Sequence, residues 1–248
     1  MKKKIECIIL IILIVIVISV DIVVINKYKK KNTIKDKDED KTSEVIKEPE
    51  KVIEKPFITE YDIESITDEE VKTIFEEYHA FVASDSFGEG LSAYKVLNSE
   101  NVAYARGRRV DNMYKDLDAI IEYNPKYLFL SYSANDLIKW NGDSLGFINA
   151  YKESISLIKE KLPDTVIIIN SVIKVTDNAT VKKPGLKYYT EFNNALMNMA
   201  KEMDIDFLEN NRFLTSDSDF GGDGVHPKRF YFYLWGRQMA SYLINHNN

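Results

Sequence analysis

The sequence is short of cysteine, histidine and net positive charge, and each shortage excludes something. A single cysteine, Cys7, in 248 residues leaves no intramolecular disulfide framework and no cysteine-cluster zinc or iron–sulfur site. Three histidines, His79, His226 and His246, are too few for a histidine-rich metal centre. No cofactor and no metal site is expected. The 33 Lys+Arg are outnumbered by 39 Asp+Glu. Residues 1–31 carry a balance of +5 and residues 32–66 one of −5, so the rest of the chain carries the whole net charge of −6. That body lacks the basic footprint of a nucleic-acid binder, and no nucleic-acid partner is expected. What the chain does have is apolar bulk: 45% of it is hydrophobic, with 15 Tyr and 12 Phe. This is enough to build one packed domain with appendages.

The positive charge of the amino-terminal segment sits at the two ends of an apolar run. From Cys7 to Val20 the chain reads CIILIILIVIVISV, and IVVI continues past Asp21. Counted through Ile25 this is 19 residues with one acid, close to the ~20 that cross a bilayer. No small-x-small cleavage site follows, and Cys7 precedes the run rather than following it, so neither a cleaved signal nor lipoprotein processing fits. Residues 1–26 are therefore expected to form an uncleaved transmembrane anchor. Lys2–Lys4 roughly balance Lys27 and Lys29–Lys31, so flanking charge does not set the orientation. A single amino-terminal anchor before a soluble domain most often exports that domain, which places this one at the cell membrane, single-pass, with an extracytoplasmic body. Residues 27–66 are charged, Pro-punctuated and glycine-free. They cannot bury enough apolar area to offset ordering, and read as a tether.

The body, 67–248, alternates two patterns. Thr67 with Glu70 has the form of a capping box before a helix over 68–77. Short unbroken apolar runs at 79–83, 101–105, 126–132, 165–170 and 205–208 suggest strands covered on both faces. Helical spacing marks 111–123, 147–161, 187–203 and about 228–244. This rhythm implies an α/β fold, a three-layer α/β/α sandwich around a mainly parallel five-stranded sheet. In such folds the ligand crevice lies beyond the carboxyl ends of the strands.

Four segments carry chemistry-bearing residues at such ends: 84–90 (SDSFGEG), 105–110 (ARGRRV), 133–137 (SANDL) and 223–227 (DGVHP). Singly, Ser84-Asp85-Ser86 reads as a helix cap, Asn135-Asp136 as a turn and Gly107 as a backbone hinge. Together, in order and spacing, they resemble the SGNH (GDSL) hydrolase superfamily over about residues 79–245. Ser84-Asp85-Ser86 stands for its Gly-Asp-Ser block, Gly107 for its second-block glycine, Ser133-Ala134-Asn135-Asp136 for Gly-x-Asn-Asp, and Asp223-Gly224-Val225-His226 for Asp-x-x-His. Two positions depart from the pattern: Ser84 and Ser133 replace glycines and put a hydroxymethyl group beside the site.

The resemblance implies a flavodoxin-like SGNH fold and a bacterial-type esterase, which the anchor expected from the apolar run would make membrane-anchored. Ser86 would be the nucleophile, His226 the base and Asp223 the acid that orients it. The backbone amides of Ser86 and Gly107 and the side-chain amide of Asn135 would form the oxyanion hole. The expected substrate is an acylated carbohydrate, with acetyl the first choice, or a lipid. A lysophospholipase-type acylhydrolase, an O-acyltransferase and a non-catalytic membrane-displayed binding module stay as alternatives. Arg106, Arg108 and Arg109 fit either an anionic-substrate clamp or a solvated basic loop. Tyr231, Phe232, Tyr233 and Trp235 fit core packing better than a sugar-stacking platform. Asp204 and Asp206 fit alternation at a strand start better than a metal pair.

Overall fold

The structure, a computed structural model, describes residues 62–246. The anchor expected at 1–26 and the tether to residue 61 lie outside them. Among the described residues no helix is long and apolar enough to cross a membrane. Residues 62–66, expected as the end of the tether, pack on the body instead. Ile63 and Ile66 are buried, and the Ser241 hydroxyl donates to the Asp62 carbonyl at 2.9 Å. Two isoleucines three residues apart are enough to dock a stretch whose other side chains face water.

Five apolar runs form one parallel sheet: β1 (Ala80–Ser84), β2 (Val102–Tyr104), β3 (Tyr127–Ser131), β4 (Val166–Asn170) and β5 (Asp206–Leu208), in the order β2-β1-β3-β4-β5. Each lies within two residues of the bounds read from sequence. β1 and β3 are buried at every position, which is why they read as continuous hydrophobic runs.

The helices are α1 (Asp68–Glu77), α2 (Ser86–Ala93), α3 (Leu117–Tyr123), α4 (Ala134–Trp140), α5 (Ser144–Lys161), α6 (Asp177–Lys182), α7 (Tyr189–Glu202) and α8 (Arg229–His246). The capping box at α1 is formed: the Thr67 hydroxyl accepts from the Glu70 amide, and the Glu70 carboxylate accepts from the Thr67 amide at 2.8 Å. α1 and α2 pack against α8, while α5 packs against α7 and the 110–116 segment. The two groups make helical layers around the sheet.

The single helix expected over 111–123 is instead a 3₁₀ segment, Val110–Asp116, running into α3, with Asn112 out of helical geometry. Side chains capture its start: the Arg109 amide donates to Asn112 Oδ1 at 2.9 Å, and the Val110 amide donates to the Asp136 carboxylate at 3.2 Å. Such bonds compete with the helical ladder. Pro184 similarly opens a 3₁₀ turn, Pro184–Tyr188, ahead of α7. α5 starts three residues before the expected 147, because Asp143 caps the Gly146 amide at 2.9 Å.

The sheet order fixes where a site can form. β2 lies on one side of β1 and β3 on the other, so crossovers diverge there and open a crevice at the carboxyl ends. Ser84 is in register with both Tyr104 and Ser131. The segments after β1, β2 and β3 therefore leave the sheet at one level.

Candidate active site

After β1 the chain turns at Asp85 directly into α2, so Ser86 is the first helical residue. Asp85 Oδ1 accepts from the Phe87 amide at 3.0 Å, an N-cap. The expected cap and the expected chemistry are thus neighbours: Asp85 caps, which leaves the Ser86 hydroxyl free. The Ser86 amide, in the unpaired first turn, finds no acceptor among the described residues, and neither does that of Gly107. Gly107 has φ +77°, open to glycine and strained for other residues. Asn135 stands in the first turn of α4, just after β3.

His226 arrives from the far end of the chain, on the loop between β5 and α8. That loop ties to itself. The Gly221 amide donates to the His226 carbonyl at 2.8 Å, Gly224 to Gly221 at 3.0 Å and Lys228 to Asp219 at 2.8 Å, while Phe220 bridges Pro227. Gly224 has φ +71°, and any Cβ there would strike Thr176; the Thr176 amide donates to the Gly224 carbonyl at 2.9 Å.

Ser86 Oγ lies 3.0 Å from His226 Nε2, and His226 Nδ1 lies 2.6 Å from Asp223 Oδ2. Asp223 Oδ1 accepts from the Val225 and His226 amides at 3.0 and 3.1 Å. Partial burial pushes the Asp223 carboxyl up, but the bonds from the His226 ring and those two amides outweigh it and hold it at about 2. An ionised carboxylate only accepts, so Nδ1 carries the ring hydrogen and the bare Nε2 can accept the serine proton. Phe87, fully buried, lies against the imidazole with ring centroids 5.2 Å apart. Ser86, Gly107, Asn135 and His226 line one cavity of about 530 Å³.

Two buried carboxylates, read from sequence as no more than a cap and a turn, brace these loops. Asp85 Oδ2 accepts from the Ser133 amide at 3.2 Å and, more distantly, from Asn135 Nδ2 at 3.5 Å. Burial pushes its carboxyl up to about 6, against the opposing pull of the Phe87 and Ser133 amides. Asp136 takes the Val110 amide and the Trp140 indole, 3.2 Å each, and burial pushes it well above the carboxylate range. Asp85 thus couples the β1 and β3 loops, and Asp136 couples the β2 and β3 loops.

The two serines in place of glycine do not line the cavity. Both are fully buried. The Ser84 hydroxyl donates to the Ser131 carbonyl at 2.9 Å and accepts from the Gly88 amide at 3.0 Å, while the Ser133 hydroxyl accepts from the Ile173 amide at 2.9 Å. They fasten loops rather than narrow the pocket.

Each arginine of 106–109 is paired with an acid, and only Arg106 stays largely exposed. Arg106 pairs with Glu89, Arg108 with the buried Asp116, and Arg109 with Asp111, which Lys139 also reaches. Tyr231 and Trp235 are core residues, and Tyr233 is partly buried against that core. Phe232 is both core and cavity wall, because Gly90 has no side chain to hold its ring away. The Asp206 carboxylate takes the Tyr242 hydroxyl at 2.7 Å, whereas Asp204 sits at a positive-φ turn before β5.

Among the solved structures that resemble this one are a GDSL-like lipase from Bacteroides thetaiotaomicron (13% identity, TM-score 0.56, covering 69% of this chain and 90% of that one), a carbohydrate esterase family 3 protein from Talaromyces cellulolyticus (11%, 0.52, 67% and 96%), and an acetylxylan esterase from Geobacillus stearothermophilus (12%, 0.50, 66% and 93%). At these identities the likeness is one of fold. No curated protein sequence matches the chain. The sequence model of the GDSL-like Lipase/Acylhydrolase family matches residues 65–229. That match runs from the approach to α1 to the first turn of α8, more than half of the chain, and makes it a member of the GDSL-like lipase/acylhydrolase family, an ester-hydrolysing enzyme.

Proposed function

We propose that the protein is a serine esterase that removes short acyl groups, acetyl foremost, from carbohydrate. The observation that carries this reading is the continuous relay from Asp223 through His226 to Ser86, 2.6 and 3.0 Å, opening into the cavity that Gly107 and Asn135 also line. In acylation the Ser86 hydroxyl gives its proton to His226 Nε2 while Oγ bonds to the ester carbonyl carbon. The carbonyl π pair moves onto oxygen, which the Ser86 and Gly107 amides and the Asn135 side chain stabilise. As that pair returns, the bond to the alcohol oxygen breaks and His226 protonates the departing alcohol. Water then repeats the sequence on the acyl-enzyme, releasing the acid and restoring Ser86. Asp223 keeps the ring oriented and balances the imidazolium charge.

The carbohydrate assignment is supported by fold likeness to an acetylxylan esterase and a carbohydrate esterase, and by a cavity whose wall mixes polar groups with Tyr94 and Phe232. The apolar run ending at Ile25, outside the described residues, supports a membrane-anchored enzyme acting at the cell envelope. A fluorophosphonate probe tests the chemistry: wild type labels at Ser86 and Ser86→Ala does not. Absent labelling of folded wild-type protein would refute the proposal. Rates on p-nitrophenyl acetate, butyrate and octanoate then read acyl length, with acetate expected fastest.

A further inference from the structure

Arg106 and Glu89 sit on the cavity wall as one charge-neutral unit, and we infer that this pair, with the face of Tyr94, is the subsite for the alcohol half of the ester and selects an uncharged polyhydroxylated alcohol. This rests on the esterase reading above and goes beyond it by assigning specificity to named side chains.

Arg106 Nε and Nη2 donate to Glu89 Oε2 and Oε1, both at 2.7 Å. This paired fork fixes both groups relative to each other. Both line the same cavity as Ser86 and His226. Arg106 is 80% exposed along its side chain and Glu89 32%, so the fork has an open side. Glu89 follows Ser86 by one turn of α2, and His226 lines the same cavity. The departing oxygen must meet His226 Nε2 to be protonated, which puts the alcohol, rather than the acyl group, on the side of the fork.

The charge of the fork decides what it reads. Arg106 is cancelled by Glu89, which its hydrogen bonds hold ionised, below the usual carboxylate range. Arg108 pairs with Asp116, Arg109 shares Asp111 with Lys139, and none of these groups is on the cavity wall. An anionic alcohol, a uronate or a phosphate, would have to displace Glu89 and then face its carboxylate. A neutral sugar meets no such conflict. Arg106 Nη1 has no partner among the described residues, and each Glu89 oxygen keeps a lone pair. Donors and acceptors side by side complement vicinal hydroxyls, each of which both donates and accepts. Tyr94, 37% exposed, adds an aromatic face supported by Phe232 at 5.3 Å between centroids, suited to the C–H face of a pyranose. Arg229, the nearby cation, lies over the Tyr94 and Tyr233 rings and is not part of the cavity wall.

The test compares kcat/KM of the full-length protein for three acetyl esters: p-nitrophenyl acetate, an O-acetylated methyl glucoside and the matching O-acetylated methyl glucuronate. Wild type is expected to favour the glucoside over the glucuronate by at least about tenfold. Glu89→Gln keeps size but leaves Arg106 uncompensated, and should shift that preference toward the glucuronate by about tenfold or more. Arg106→Ala should lower the glucoside rate relative to p-nitrophenyl acetate by a similar factor, mostly through KM. Labelling by the serine probe confirms that each variant is folded, and Glu89→Gln alone decides should Arg106→Ala not fold. Ratios unmoved by Glu89→Gln, or a wild type that prefers the glucuronate, would overturn the inference and leave the esterase intact. Hydrolysis of none of the three, with no probe labelling, would overturn the esterase reading and this inference together.

Discussion

Replacing Asp85 by Asn removes an ionisable group that ties the loops after β1 and β3 together, and the consequence can be worked out in sign and size. Asp85 is fully buried, and burial holds its carboxyl at about 6 against an ordinary value of 3.8. The folded protein therefore keeps this proton to a higher pH than the unfolded chain does. Below pH 3.8 both states are protonated. Between there and pH 6 the folded state binds more protons, so stability declines as pH rises, and above 6 the decline is complete. A shift of about two units corresponds to about 3 kcal/mol. The wild-type unfolding free energy minus that of Asp85→Asn should thus fall by about 2 kcal/mol from pH 4 to pH 7. Loss of the Asp85 charge also eases ionisation of Asp136, which that charge raises, and adds in the same direction. Urea unfolding at constant ionic strength, followed by the fluorescence of the buried Trp235 and of Trp140, gives the difference at each pH. A difference independent of pH, or one that grows toward neutrality, would refute the reasoning. The variant should also lose about 10- to 100-fold in kcat. A carboxamide has one acceptor oxygen for the amides of Phe87 and Ser133, which now bond opposite carboxylate oxygens, and one loop is left unheld.

Other outcomes follow from the same geometry. Asn135→Ala should lower kcat by about 10²–10³ with little change in KM, the loss of one oxyanion donor; an unchanged kcat in steady-state assays would remove Asn135 from the site. Asp223→Ala should retain at least about tenfold more activity than Ser86→Ala or His226→Ala, because the orienting acid is the least costly member to lose. Gly88→Ala would put a Cβ 2.8 Å from the Cβ atoms of Ser84 and Tyr104. It should cost roughly 1–3 kcal/mol, read as a melting temperature lowered by several degrees. Ser133→Gly restores the family residue yet strands the Ile173 amide, and should destabilise by about 1–3 kcal/mol; an equal or higher melting temperature would show that this hydroxyl fastens nothing.

The strands were legible because burial on both faces writes each as an unbroken apolar run. The 110–116 segment was not, because the group that captures its first amide, the Asp136 carboxylate, is 26 residues away in sequence. Ser86, Gly107, Asn135, Asp223 and His226 were named through family spacing; the fold brings four of them to one cavity, with Asp223 bonded to His226. Asp85 was legible as a cap and a motif letter but not as a brace, since nothing local says that its second oxygen reaches the β3 loop. Glu89, Tyr94 and Phe232 were missed as cavity residues. One signal was present: Gly88 and Gly90 in a short helix are poor helix formers, and each marks a close approach, to Ser84 and Tyr104 or to the Phe232 ring.

The self-tied loop from Asp219 to Lys228 divides the relay into two joints of different durability. The joint between Asp223 and His226 spans three residues and belongs to the loop alone; the joint between His226 and Ser86 spans 140 residues and depends on the whole body. Warming that loosens α2 or α8 against the sheet parts the second joint first, so turnover fades before the sheet melts. The hydrogen bond between His226 and Asp223 should then outlast the one to Ser86.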